Sequence, residues 1–148
     1  VLYPGRVAES SAEEWRASFE INVTGAVALT LALLPALRAV RGHVVFINSG
    51  AGRTVSPGMA SYSASKFALR AFADSLRADE PSLRVTSIFP GRTDSGMQRR
   101  LVAFENGSAE RDYDANHFLR PETVAGLVAT AVTTPPDGHV HEIVVRPG

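Results

Sequence analysis

The feature that most constrains the fold is a short, wholly apolar run at residues 44–47, which contains two valines, a phenylalanine and an isoleucine. A run of this length with no polar position is typical of a strand that is buried on both sides in a parallel sheet. Similar strands are predicted at residues 84–89, where Pro90 and Gly91 end the run, and at residues 140–145. Helical segments separate these runs, so the pattern predicts an α/β fold with a parallel sheet covered on both faces.

The segments between these strands carry helix signals. Ser11 and Glu14 form a capping box, which predicts that a helix begins there. Residues 21–40 continue as a helix that is apolar nearly all round. We expect this helix to be buried on two sides, against its own sheet and against a partner subunit. Residues 105–120 show no period, which predicts a mobile functional flap or a disordered connection. The other predicted helices are at residues 59–78, 96–103 and 121–132.

Length and composition exclude several classes of protein. A chain of 148 residues forms at most one domain, covering residues 1–148, and is long enough for a real core. Its 15 basic residues balance its 15 acidic residues, so no net charge recruits nucleic acid or an anionic membrane. The absence of cysteine excludes disulfides and thiol catalysis, and fits a cytoplasmic location. The longest apolar run, residues 26–36, is too short to span a bilayer.

A tyrosine and a lysine, Tyr62 and Lys66, lie four residues apart in the predicted helix 59–78 and therefore share one face. A free phenol titrates near ~10 and is a poor base at neutral pH. A nearby ammonium group favours the phenolate and lowers the phenol pKa by roughly 1–3 units, which makes a usable proton donor and acceptor. Ser49 follows the strand 44–47, where its hydroxyl could bind the same reacting oxygen. The pattern indicates a site that moves a proton on and off an alcohol or carbonyl oxygen.

The pair alone also fits a packed phenol beside a solvated amine, so its surroundings decide the interpretation. In chain order they are Asn-Ser-Gly at residues 48–50, a loop of small residues, Tyr-Ser-Ala-Ser-Lys at residues 62–66, and a strand ending in Pro-Gly at residues 90–91. This order closely resembles the short-chain dehydrogenase/reductase family across nearly the whole chain. Asn22, in Asn-Val-Thr-Gly at residues 22–25, matches the fourth catalytic position of that family.

The resemblance implies that the chain is the C-terminal part of a Rossmann-type doubly wound sheet. In that family, the Gly-rich turn that seats the pyrophosphate and the residue that chooses between NAD and NADP precede the position of Val1. The resemblance also implies NAD- or NADP-dependent oxidoreduction of a secondary alcohol or ketone. The implied assembly is a homodimer or homotetramer, and the implied substrate is a small molecule.

The same resemblance implies a role for each candidate residue. Tyr62 is the acid/base, Lys66 lowers its pKa and holds the nicotinamide ribose, and Ser49 positions the carbonyl oxygen. Asn22 supports a proton relay to the lysine, unless it only satisfies a local carbonyl of its helix. Gly25 follows and would ease a helix distortion at Asn22. The implied cofactor-binding residues are Tyr62, Lys66, Pro90, Gly91, Thr93 and Ser95, where the family usually has a threonine at the last position.

Two other functions stay open from the sequence. Sugar-nucleotide epimerases and dehydratases use a similar Tyr/Lys pair, and a non-catalytic oligomerisation or interaction fragment needs no cofactor at all. A metal site is not favoured. His139 and His141 alternate on a predicted strand and so point to the same side. Because no third ligand has a suitable spacing, we interpret them as strand-face residues. His43 and His117 are isolated in the sequence and are interpreted as surface residues.

Overall fold

Three parallel strands form the centre of the fold in the order β1-β2-β3. The structure is a computed structural model that describes residues 1–107 and 113–148. In the sheet, Val44 lies opposite Val85, and Ile88 lies opposite Ile143. The predicted α/β fold with a parallel sheet is confirmed. The strands are β1 at His43–Ile47, β2 at Arg84–Pro90 and β3 at Glu142–Val145.

The helices lie close to the predicted ranges. The capping box is confirmed: the Ser11 hydroxyl accepts the backbone N–H of Glu14, and the Glu14 carboxylate accepts the backbone N–H of Ser11. Part of the predicted 105–120 connection, residues 108–112, lies outside the described residues. The described helices are α1 at Ala12–Phe19, α2 at Gly25–Ala39, α3 at Ala60–Asp79, α4 at Gly96–Glu105 and α5 at Pro121–Thr133, with short 3₁₀ turns at Val7–Glu9, Gly50–Gly52 and Ala115–His117.

The core lies between the sheet and the helices α2 and α3. Successive side chains of a strand point to opposite faces, so Arg84 of β2 points away from Val85 and toward the other face. There its guanidinium donates to the carbonyl oxygen of Thr134, just beyond α5. Helices therefore cover both faces, as in a doubly wound sheet. The buried core residues are Phe46, Leu69, Ala73, Leu76, Leu83 and Val85, against which Ala26, Leu34, Leu37, Val44 and Phe72 pack.

Burial of β1 differs from the prediction, and α2 is covered on one side only within the chain. Ile47 at the end of β1 is 48% exposed, because β1 is the edge strand of the described sheet. On α2, Leu29 is 63% and Leu31 is 56% exposed, so this helix is not buried on two sides within the chain. The helix and the edge strand line an open groove of about 430 Å³. Both elements therefore carry apolar side chains that a single copy of the described chain leaves exposed to solvent.

One continuous helical segment joins α1 to α2. A π-helical turn at Glu20–Thr24 connects them without a break, so the segment Ala12–Ala39 contains 28 residues. By length and composition alone, this segment is long and apolar enough to cross a membrane. The sequence argument from residues 26–36 counted only the uninterrupted apolar run and therefore does not exclude a spanning segment. Within the structure the same segment packs Ala26, Leu34 and Leu37 against the core.

Three histidines lie together near the amino-terminal end of the sheet. His139 and His141 precede β3, which begins at Glu142, so their predicted alternation on a strand is wrong. The ring centroids of His139 and His141 are 4.4 Å apart, and the His43 ring lies 6.2 Å from that of His139. His43 is therefore not an isolated surface residue, and its Nε2 is 2.8 Å from the Thr86 hydroxyl. Within residues 1–107 and 113–148, no group of three metal-ligating side chains is placed to hold a metal ion.

We expect the full-length protein to lose stability as the pH falls below about 6.5, the ordinary histidine value. Burial lowers the pKa of both His43 and His139; the positive charge of Arg84 acts in the same direction on both. The folded state then binds fewer protons than the unfolded chain, so this stability is present above about 6.5 and is lost as the pH falls through the lower folded values.

Thermal unfolding between about pH 5.5 and 7.5 measures this effect, since most carboxylates titrate below that range. His139→Gln should flatten the dependence of Tm on pH. His117→Gln is the control, because the His117 side chain is exposed. A wild-type Tm that stays constant across this range would contradict the prediction.

Candidate active site

The candidate site lies where the carboxyl ends of β1 and β2 meet the first half of α3. The backbone N–H of Asn48, just beyond β1, donates to the carbonyl oxygen of Ile88 at 2.8 Å. Two residues later, a Cβ added at Gly50 would lie 3.6 Å from the carbonyl oxygen of Pro90. The segments that follow the two strands are therefore side by side, as is usual for ligand sites at the carboxyl edge of a parallel sheet.

Ser49 is held in place by the turn that it begins. Its hydroxyl oxygen accepts the backbone N–H of Ala51 at 3.1 Å and so caps the short turn Gly50–Gly52. Its own backbone N–H donates to the side-chain oxygen of Asn48 at 2.9 Å. The Ser49 side chain also lies close enough to the Tyr62 phenol to lower its pKa. The two hydroxyl groups are therefore neighbours, and their sharing of one reacting oxygen stays a prediction.

The phenol of Tyr62 is buried, with 8% of the residue exposed. Burial raises the pKa of Tyr62, and the neighbouring Ser49 side chain opposes this shift without reversing it. The expected lowering of the phenol pKa by Lys66 is therefore wrong for this structure. The Lys66 ammonium lies 5.8 Å from the ring centroid and donates to the carbonyl oxygen of Ile47 at 3.2 Å. Desolvation of the phenolate outweighs a cation directed at another oxygen.

Lys66 lies one turn after Tyr62 on α3, and burial lowers the pKa of its ammonium to about 8. The group is therefore mostly charged at neutral pH and loses its proton in mildly alkaline solution. Lys66 and Asn22 both line the groove between α2 and β1. An ammonium at this place can donate hydrogen bonds into the groove.

Asn22 lies in the π-helical turn Glu20–Thr24, directly before Gly25. The predicted distortion of the helix at Asn22 is therefore confirmed, and π-helical turns are frequent at functional sites. The amide nitrogen of Asn22 donates to the Ser65 hydroxyl at 3.0 Å and to the carbonyl oxygen of Val1 at 2.8 Å. The Asn22 amide thus donates to residues outside its own turn. Its bond to Ser65 connects it to α3, one residue before Lys66.

The end of β2 and the loop after it contain the other predicted cofactor-binding residues. The backbone N–H of Gly91 donates to the carbonyl oxygen of Val145 at 2.7 Å, which fixes Pro90 and Gly91 beside the end of β3. The Thr93 hydroxyl donates to the carbonyl oxygen of Gly91 at 3.1 Å. The Ser95 hydroxyl accepts the backbone N–H of Gln98 at 3.2 Å and caps α4. Both hydroxyl groups stabilise their own segment, and their contacts with a cofactor stay predictions.

Sequence reasoning missed the part of Gly52 in this site. A Cβ at Gly52 would lie 2.6 Å from the side-chain oxygen of Asn48 and 2.9 Å from the carbonyl oxygen of Lys66. Glycine therefore allows the turn after Ser49 to rest directly on the helix that carries Lys66. Glycines also stand at positions 50 and 58 of this loop, so no local pattern distinguishes the glycine that makes the close contact.

Together, the phenol of Tyr62, the hydroxyl of Ser49 and the ammonium of Lys66 converge on one edge of the sheet. Asn22 is connected to this group by its hydrogen bond to Ser65, and Gly91 directly follows the end of β2. A phenol that is protonated at neutral pH, next to a hydroxyl that can hydrogen-bond the same oxygen, can exchange a proton with an alcohol or carbonyl oxygen.

Comparisons with known proteins relate most of this chain to a single family. The sequence model of the short chain dehydrogenase family matches residues 2–106. An uncharacterized short-chain type dehydrogenase/reductase of Sinorhizobium fredii, y4eK, is 33% identical over 140 residues, covering 93% of this chain and 56% of that protein. Dehydrogenase/reductase SDR family member 11 of Mus musculus is 31% identical over 156 residues, covering 97% of this chain and 59% of that protein.

A solved structure shares both the fold and part of the sequence. The closed form of a serine dehydrogenase in complex with NADP+ superimposes with a TM-score of 0.84 at 28% identity, covering 98% of this chain and 60% of that chain. The chain thus spans little more than half the length of these two curated relatives.

Proposed function

Because this chain belongs to the short-chain dehydrogenase family, we propose that the full-length protein is an NAD- or NADP-dependent oxidoreductase that interconverts a secondary alcohol and a ketone. The observation that supports the chemistry most directly is the proximity of the Ser49 side chain to the Tyr62 phenol, with Lys66 one turn further along the same helix. The NADP+ bound to the similar serine dehydrogenase supports the choice of cofactor.

In this proposal the dinucleotide supplies or accepts the hydride when it is bound. Tyr62 donates its phenolic proton to the carbonyl oxygen during reduction and takes a proton from the hydroxyl during oxidation. Burial raises the pKa of Tyr62, so the phenol is protonated at neutral pH and suited to the donor role. The Ser49 hydroxyl donates a hydrogen bond to the same oxygen and holds it beside the phenol.

Lys66 and Asn22 have supporting roles in the proposal. The Lys66 ammonium holds the ribose hydroxyl groups of the nicotinamide nucleoside, for which it has three donors. Asn22 belongs to a proton relay that reaches the lysine from the distorted turn of the helix. The cofactor is lined from the end of β2 and the loop after it by Pro90, Gly91, Thr93 and Ser95. A homodimer or homotetramer stays a prediction, whose physical motive is the exposed apolar face of α2 that includes Leu29 and Leu31.

Titration of the full-length protein with NADH and NADPH, followed by nucleotide fluorescence, tests this function. We expect saturable binding of at least one of them, and loss of nucleotide absorbance at 340 nm when a panel of ketones is added. Failure of the full-length, folded protein to bind either dinucleotide would contradict the proposal and favour a non-catalytic interaction fragment. Binding without turnover of any ketone or alcohol would support the cofactor assignment and contradict the proposed reaction.

A further inference from the structure

Two arginines meet one carboxylate close to the candidate site. Glu142, the first residue of β3, binds Arg70 through its Oε1 atom, with Nη2 at 3.0 Å and Nε at 3.2 Å. Its other oxygen, Oε2, binds the Nη1 atom of Arg53. Each carboxylate oxygen therefore serves one guanidinium group, and the three side chains form a single network.

The same two arginines pack on one aromatic ring. The guanidinium carbon of Arg53 lies 5.1 Å from the ring centroid of Phe89, and that of Arg70 lies 5.6 Å from it. Phe89 is fully buried in β2. Two cations this close to one ring would repel each other without a shared anion, and Glu142 supplies that anion. The arrangement holds both guanidinium groups at defined places.

The network joins the two elements that carry the candidate catalytic groups. Arg53 immediately follows the turn Gly50–Gly52 that Ser49 begins, and its backbone N–H donates to the carbonyl oxygen of Gly50 at 3.0 Å. Arg70 lies one turn after Lys66 on α3. Gly52, between Ser49 and Arg53, already contacts the backbone of Lys66 closely. Fixing Arg53 therefore fixes the end of the turn that determines where the Ser49 hydroxyl lies.

We propose that Arg53, Glu142 and Arg70 form a clamp that positions the Ser49 hydroxyl against Tyr62. The clamp touches no reacting atom, so its members are positioning residues. The inference rests on the proposed function, because it assigns the clamp to the Ser49 role in that reaction. The three side chains are partly exposed, and ion pairs of this kind contribute little to stability. Their effect should therefore appear in turnover.

Arg53→Met tests the clamp in the full-length enzyme. Methionine keeps an apolar chain over Phe89 but removes the bond to Glu142. A small displacement of a catalytic group can cost on the order of 10²-fold in rate, and we expect kcat for ketone reduction to fall by about tenfold with the dinucleotide Kd unchanged. Arg16→Met is the matched control, since it removes an exposed pair with Glu13 on α1, and it should leave kcat unchanged.

A second comparison shows whether the clamp acts through Ser49. In a Ser49→Ala background the hydroxyl to be positioned is gone, so Arg53→Met should cause no further loss of kcat. Equal losses in both backgrounds would overturn the proposal, as would full kcat in Arg53→Met.

Glu142→Gln, which retains the shape of the side chain, replaces Arg53→Met in the same comparison if circular dichroism shows that the methionine variant is unfolded. If Ser49→Ala lowers kcat while Arg53→Met does not, the clamp alone fails; if Ser49→Ala and Tyr62→Phe are both fully active, the proposed function fails.

Discussion

Tyr62→Phe should lower kcat of the full-length enzyme by about 10²–10⁴-fold, the usual contribution of general acid–base catalysis. The substitution removes one oxygen and keeps the buried ring, so the fold should survive with a modest change in stability. Dinucleotide affinity should change little, because the phenol mainly serves the transition state. Steady-state turnover of any accepted ketone, together with fluorescence titration of the nucleotide, measures both quantities.

Tyr113→Phe is the matched control for this variant. The Tyr113 hydroxyl donates to the Asp94 carboxylate at 2.7 Å and has no contact with Ser49 or Lys66 among the described residues. Its removal should leave kcat within a few fold of wild type. If Tyr62→Phe retains most of its activity, the acid/base assignment is wrong, and the phenol is a packed core residue that happens to lie near an amine.

The order of strands and helices could be predicted because it depends on local patterns. The apolar run at residues 44–47 became β1, and the capping box at Ser11 began α1. Burial could not be predicted in the same way, since it depends on which neighbours a strand acquires. Ile47 belongs to an apolar run that is typical of a fully buried strand, yet it is 48% exposed at the edge of the described sheet.

The candidate site shows the same division between local and distant information. A spacing of four on a helix was enough to place Lys66 one turn after Tyr62. The predicted direction of the Tyr62 pKa shift is wrong, because the sequence reveals the nearby cation but not how deeply the phenol is buried. The link between Arg53 and Glu142 joins residues 89 positions apart in the chain. No local spacing predicts a contact of that kind, and the same holds for the approach of Gly52 to Lys66.

Lys66 should affect both cofactor binding and catalysis, unlike Tyr62. In Lys66→Ala the donor to the ribose hydroxyl groups is lost. We expect dinucleotide affinity to fall by about tenfold or more, the scale of a lost charge-assisted hydrogen bond. We also expect kcat to fall on the order of 10²-fold, because the nicotinamide ribose is no longer held in place beside the reacting groups.

The pH dependence of binding separates the amine from other causes. Burial lowers the pKa of Lys66 to about 8, so the ammonium is present below that pH and is lost as the pH rises through it. The kcat/KM for the dinucleotide reports groups of the free enzyme, and in the wild type it should decline above about pH 8. Lys66→Arg keeps its charge at high pH and should retain more of this kcat/KM there, even if its geometry lowers the maximum. If Lys66→Ala binds the dinucleotide as tightly as the wild type and shows the same pH dependence, then the amine takes no part in the site and the spacing of four from Tyr62 is a coincidence of helix packing.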